Sequence, residues 1–268
     1  MPETQLNLFS SSALTPERRR QGVVDAPAIV PAELDDDTLL AAILQAGLTD
    51  ILAVIAEVER RGLAAAIPVL ERLCLRFTGF GADQPIPEQI AALGALAAIG
   101  GRDAAATVTR LMVKAVVQGP TLNVAVNVAA RLGCHLPGAM VHRLLAHDAP
   151  EVRANACRCA RPAPGTIALL IGLLDDLNGE VNAAAACALG RMGRREALPM
   201  LSRMLRGAPS VEIIEAISRV ADEDCIILLG RILQTDPGFS DAARDALEAA
   251  SHPRAARILA VRWPEARP

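Results

Sequence analysis

Between residues 180 and 206 the apolar positions fall into two helical stripes separated by a stop. Val181, Ala185, Ala188, Leu189 and Met192 share one helical face, Gly193 ends the run, and Arg194 and Arg195 turn the chain. Leu198, Leu201 and Leu205 then form a second stripe, with Pro199 in its first turn, where a missing N–H costs little. The pattern predicts a helical hairpin. Residues 66–73 (Ala-Ile-Pro-Val-Leu-Glu-Arg-Leu) repeat the start of that second stripe at residues 197–204 (Ala-Leu-Pro-Met-Leu-Ser-Arg-Met), with four of eight positions identical.

A five-residue phrase, Leu/Val-x-Arg-apolar-apolar, marks the second helix of successive hairpins. It reads Leu70–Cys74, Val108–Met112, Val141–Leu145, Leu201–Leu205 and Leu229–Leu233, with weaker copies at Leu170–Leu174, where Gly172 replaces the Arg, and at Ala255–Leu259. The third positions lie 38, 33, 29, 31, 28 and 26 residues apart, a period of stacked helical pairs and not of one globular core. Seven hairpins are predicted, at about 49–77, 88–118, 121–147, 151–175, 180–206, 210–235 and 240–263. Two places break the rhythm: the long connection from Thr78 to Pro87, and Arg161-Pro162-Ala163-Pro164-Gly165 inside the fourth hairpin. Ahead of the hairpins, Asp35-Asp36-Asp37 offers N-caps to a short helix, Thr38 to Ala46, closed by Gly47. Residues 1–34 hold four prolines and show no sustained helical period, which predicts a mobile N-terminal arm before a solenoid at 35–268.

Composition agrees with an all-α fold. The chain is 52% hydrophobic but only 2% aromatic, with no Tyr, so alanine and leucine must fill the core. No apolar run reaches the roughly 18 residues of a membrane span, and residues 1–12 lack the basic start and apolar stretch of a signal peptide. A cytoplasmic protein with no membrane association is expected. The six cysteines (74, 134, 157, 159, 187 and 225) lie in apolar helical stretches, where free thiols act as small hydrophobes. Cys157-Arg158-Cys159 has no second pair, and His135, His142 and His147 lack zinc-site spacing, so no metal is expected. Net charge is −3, distributed as −5 over residues 1–50, +2 over 51–150, +3 over 151–210 and −3 over 211–268. That balance does not indicate a nucleic-acid binder.

The phrases Glu151-Val152-Arg153-Ala154-Asn155-Ala156 and, from Glu180 to Gly193, Glu-Val-Asn-Ala-Ala-Ala-Ala-Cys-Ala-Leu-Gly-Arg-Met-Gly resemble HEAT repeats, specifically the short bacterial class also found in phycobilin lyases. The resemblance covers about residues 49–263. It implies a right-handed α-solenoid whose first helices line the convex side and whose second helices line the concave side. It implies no single activity, since such solenoids serve as scaffolds, adaptors, lyases and repair enzymes.

Two features are candidates for binding. Arg72, Arg110, Arg143, Arg203, Arg231 and Arg257 point away from the apolar stripe of the second helices. On the concave side that the resemblance assigns them, they would grip a partner's carboxylates or phosphates. The alternative is a framework role, each stem covering a neighbouring hairpin and each guanidinium pairing with an acid such as Glu71 or Asp236. In the arm, Gln5-Leu6-Asn7-Leu8-Phe9 resembles the pentapeptide by which bacterial DNA polymerases and repair proteins dock on the sliding clamp. Gln5, Leu6, Leu8 and Phe9 match, and Asn7 replaces the usual Ser or Asp. No phosphate loop, nucleophile–base pair or carboxylate cluster stands out. The sequence therefore predicts a non-enzymatic scaffold or adaptor without a cofactor that binds a protein on the concave face. The second reading is a replication or repair factor tethered to the clamp, and the third a lyase-type enzyme.

Overall fold

The computed structural model describes residues 30–45 and 47–262, and over these it is helical with no strand. A short helix, α1 (Asp36–Gln45), precedes seven hairpins. These are α2 (Leu48–Arg61) with α3 (Ile67–Leu75), α4 (Pro87–Ile99) with α5 (Gly101–Val113), and α6 (Pro120–Arg131) with α7 (Gly138–Leu145). There follow α8 (Pro150–Cys159) with α9 (Pro164–Gly172), α10 (Gly179–Arg191) with α11 (Leu198–Gly207), α12 (Val211–Ile217) with α13 (Glu223–Thr235), and α14 (Ser240–Ala249) with α15 (Pro253–Arg262). All seven pairs read from the apolar periodicity are present.

The hairpins stack in two layers. The first helices pack in unbroken succession, α2 on α4 and so on through α6, α8, α10 and α12 to α14. In the second layer α1 packs on α3, α3 on α5, α7 on α9, α11 on α13 and α13 on α15. Helix α1 thus occupies the place of a second helix, packing on α2 and α3 and burying Leu39 and Ile43. Its cap is Asp35, whose Oδ1 accepts the Thr38 N–H at 2.8 Å, so the helix begins two residues earlier than the periodicity predicts.

Small residues set the spacing of the first layer. A Cβ on Gly190 of α10 would lie 2.5 Å from the Ala216 carbonyl oxygen of α12, so only glycine allows these two helices to approach as they do. Gly193, at φ +71°, ends α10 in the left-handed conformation that the sequence anticipated, and the next N–H, that of Arg194, reaches back 2.9 Å to the Leu189 carbonyl. Between the layers the core is aliphatic, with Leu70, Leu93, Leu111, Leu189, Leu201 and Ile214 fully buried.

Both interruptions have a structural basis. The 78–86 connection lies against the turn before α6, where Ile86 N–H donates to Thr121 Oγ1 (3.1 Å) and Gln118 Nε2 to the Phe80 carbonyl (3.0 Å). In the fourth hairpin α8 ends at Cys159 and α9 starts at Pro164, the intervening residues being non-helical.

At the N-terminal side the helical unit begins at Pro31, four residues before the boundary expected from composition. Residues Pro31–Glu33 form a 3₁₀ turn held by Arg61 of α2. Its guanidinium donates to the carbonyls of Pro31, Ala32 and Leu34, to Asp36 Oδ1 (2.8 Å) and to Glu57 Oε1 (2.6 Å). Proline content marked this stretch as arm, but one buried-stemmed arginine supplies the bonds that order it. The Gln5–Phe9 pentapeptide lies outside the described residues.

Candidate functional site

A hollow of 850 Å³ runs along the first-helix layer from the end of α6 across α8, α10 and α12 to α14. Alanines such as Ala188, Ala242 and Ala246 lie along it, and Arg158, Arg161, Arg191 and Arg219 line its central part. Glu215, Asp241 and Asp245 line it toward the last hairpin. Arg158, Arg191 and Arg219 form a connected set. Arg158 approaches Glu180 (3.8 Å) and Glu212 (3.7 Å), Arg191 shares Glu212 (3.4 Å), and Arg219 donates to the Arg191 carbonyl (3.1 Å). Arg158 also donates to Asn155 Oδ1 at 2.9 Å, and Asn155 meets Asn123 and Asn127 of α6 at 3.4 Å. A polar stripe of amides and guanidiniums thus climbs four successive first helices.

None of the six marker arginines lines the groove, which belongs to the first helices and not to the second.

On the second layer the marker arginines divide. Arg110 forms a bidentate pair with Glu71 of the preceding hairpin (2.9 and 2.6 Å) and a bond to Thr107 (2.8 Å), the framework arrangement. Hydrogen bonding to Arg110 holds the Glu71 carboxyl below its ordinary range. Arg72, Arg143, Arg203 and Arg231 are exposed and have no side-chain partner among the described residues. Arg257 is likewise exposed and borders a 610 Å³ hollow with Arg254 and His252 near the C-terminal side. The unmarked Arg153 has the stronger framework role. It donates twice to Asp176 (2.9 and 3.0 Å) and once each to the carbonyls of His147 and Asp148 (both 2.8 Å).

A second cavity, of 260 Å³, opens between α5 and α7. Met112, Val117, Leu122, Met140 and Leu144 line it, with Arg143, His147 and Gln118 as its charged and polar members.

All six cysteines are free and buried. Burial pushes the thiols of Cys74, Cys157 and Cys159 up to about 12 and those of Cys187 and Cys225 up to about 11. The three histidines of the third hairpin are separated by function. His135 meets Arg161 (3.4 Å), His142 meets Thr166 Oγ1 (3.0 Å), and His147 Nδ1 accepts the Ala149 N–H (3.1 Å). Among the described residues no three His, Cys, Asp or Glu side chains gather as a metal-binding group, and no helix is long and apolar enough to cross a membrane.

The described part of the chain is an α-solenoid, and residues 139–212, from α7 into the start of α12, match the family model for HEAT repeats. This stretch contains both phrases whose residues resemble that family. A crystal structure of Escherichia coli YibA is similar at 14% identity, covering 82% of this chain and 93% of that one with a TM-score of 0.44. No curated protein matches the chain in sequence. HEAT repeats are generally protein-interaction scaffolds.

Proposed function

We propose that this protein is a non-enzymatic adaptor that holds an acidic segment of a partner protein in the first-helix groove. The 850 Å³ hollow carries the reading: it spans the first helices of five hairpins and concentrates Arg158, Arg161, Arg191 and Arg219 at its centre. Guanidiniums set over an alanine floor suit carboxylates on an extended or helical segment, which can approach the backbone closely. The exposed Arg72, Arg143, Arg203, Arg231 and Arg257 provide a separate basic row on the other layer. The test is recovery of a partner from the native host with the parent protein, an Arg191→Glu/Arg219→Glu variant and an Arg143→Glu/Arg203→Glu/Arg231→Glu variant. Loss of the same partner in the groove variant, with retention in the other, is the expected result. Equal recovery by all three overturns the groove assignment.

A second reading rests on Gln5, Leu6, Leu8 and Phe9, the clamp-like pentapeptide. In it the solenoid is cargo or adaptor and the arm is the tether. A peptide of residues 1–14 should then bind the host's sliding clamp and lose binding when Leu8 and Phe9 are both Ala, because the apolar pair supplies most of the anchoring energy. Absence of binding at high micromolar peptide retires it.

A further inference from the structure

The cavity between α5 and α7 lies on the layer opposite the groove and combines apolar side chains with three polar ones, Arg143, His147 and Gln118, the last of which already donates to the Phe80 carbonyl. Met112, Leu122, Met140 and Leu144 supply the apolar lining. Arg143 borders it with an exposed guanidinium that has no partner among the described residues. His147 borders it too. Because His147 Nδ1 accepts the Ala149 N–H, the neutral ring carries its proton on Nε2, which gives a second lining residue an N–H donor.

Ala115, at φ +51°, ends α5 as a left-handed cap, with its N–H on the Met112 carbonyl (3.0 Å) and the Val116 N–H on the Leu111 carbonyl (2.9 Å), and it lines this cavity. The volume is 260 Å³, just below the roughly 300 Å³ at which pockets for drug-sized molecules begin. The pocket therefore suits a small group with an apolar body and an anionic, hydrogen-bond-accepting head.

We propose that this pocket binds a free aliphatic monocarboxylate of about six to eight carbons, its chain against the Met and Leu side chains and its carboxylate on Arg143 and His147. The site does not depend on the groove reading, since no groove arginine lines it.

Calorimetric titration of the full chain with octanoate, octanol and octylamine tests the proposal. Octanoate should bind saturably and at least about tenfold more tightly than the other two, the difference expected for hydrogen bonds to an ionised group. Arg143→Gln should weaken octanoate at least about tenfold with an unchanged melting temperature, because that side chain supports no other contact. His147→Asn keeps an acceptor for the Ala149 N–H but removes the Nε2 donor, so it should weaken octanoate severalfold. Arg191→Glu in the groove should leave octanoate binding unchanged. Equal uptake of octanol, undiminished affinity in Arg143→Gln, or no saturable octanoate binding overturns the proposal. Tighter binding of a tripeptide ending in a free leucine carboxylate overturns the free-acid assignment and makes the pocket a chain-terminus reader.

Discussion

Arg153 of α8 and Asp176, in the turn before α10, face each other in a two-bond pair at 2.9 and 3.0 Å, and that pair fastens three hairpins together. Arg153 also binds the last carbonyls after α7, and Asp176 Oδ1 accepts the Asn178 N–H at 2.8 Å. Asn178 in turn caps α10 through the Glu180 and Val181 N–H groups. Both side chains are largely buried, at 18% and 9% exposure, so removal of either leaves an unpaired charge in the interface. Asp176→Ala is expected to cost about 2–3 kcal/mol, lowering the melting temperature by on the order of 5–10 °C. A calorimetric scan checks it, and a change within error would show that water replaces the pair at no cost.

Close approach in the first layer gives a second expectation. Gly190→Ala sets a methyl 2.5 Å from the Ala216 carbonyl oxygen and 2.7 Å from Leu201 Cδ1, and the backbone oxygen cannot swing aside. Overpacking of this kind costs about 1–3 kcal/mol. Gly230→Ala is the control, because its new methyl meets the flexible tip of Ile258 at 2.9 Å. Urea unfolding of the two variants should rank Gly190→Ala as clearly the less stable.

Periodicity made the hairpins legible because each helix buries one stripe, and the register of Val181, Ala185 and Leu189 against Leu201 and Leu205 is a local property of sequence. The hollow along the first helices is not a local property: it depends on how α8, α10 and α12 come together, and at Gly190 only glycine allows the approach to the Ala216 carbonyl. A repeated exposed arginine is the stronger motif in the sequence, yet Arg153, which fastens three hairpins, occurs once and pairs with Asp176, whose importance rests on a turn geometry no spacing rule reveals. Gln89 is illegible in the sequence for the same reason. It is fully buried and its Nε2 donates to the carbonyls of Cys74 and Val116 (both 3.2 Å), tying α3 to the turn after α5.

The marker arginines give a graded expectation. Arg110→Ala loses a bidentate contact to Glu71 that is 47% and 18% exposed, so its cost should be about 0.5–1 kcal/mol. Arg143→Glu, Arg203→Glu and Arg231→Glu together break no side-chain contact among the described residues, and the triple variant should melt within about 2 °C of the parent. Circular dichroism melting separates the two cases. Early unfolding of the triple variant would return these residues to the framework role and remove them as a binding surface.

Acid stability should depend on Glu57. Its carboxylate accepts from Arg60 at 2.8 and 2.6 Å and from Arg61 at 2.6 Å, and the Arg60 and then the Arg61 hydrogen bonds hold its pKa down at about 2, from an ordinary value of 4.5. A carboxyl whose folded-state pKa is depressed stabilises the fold above its unfolded pKa and loses that contribution as pH falls through the folded value. The parent should therefore exceed Glu57→Gln in stability near neutrality, and the gap should narrow below about pH 4.5 and close near pH 2. Because Arg61 also binds Asp36 and the carbonyls of Pro31, Ala32 and Leu34, Glu57→Gln should also loosen α1 and the 3₁₀ turn before it. Guanidinium titrations from pH 7 to 2, read beside amide exchange of residues 31–45, test both parts. A stability gap that stays constant across that range would show that Glu57 acts through packing and not through its charge.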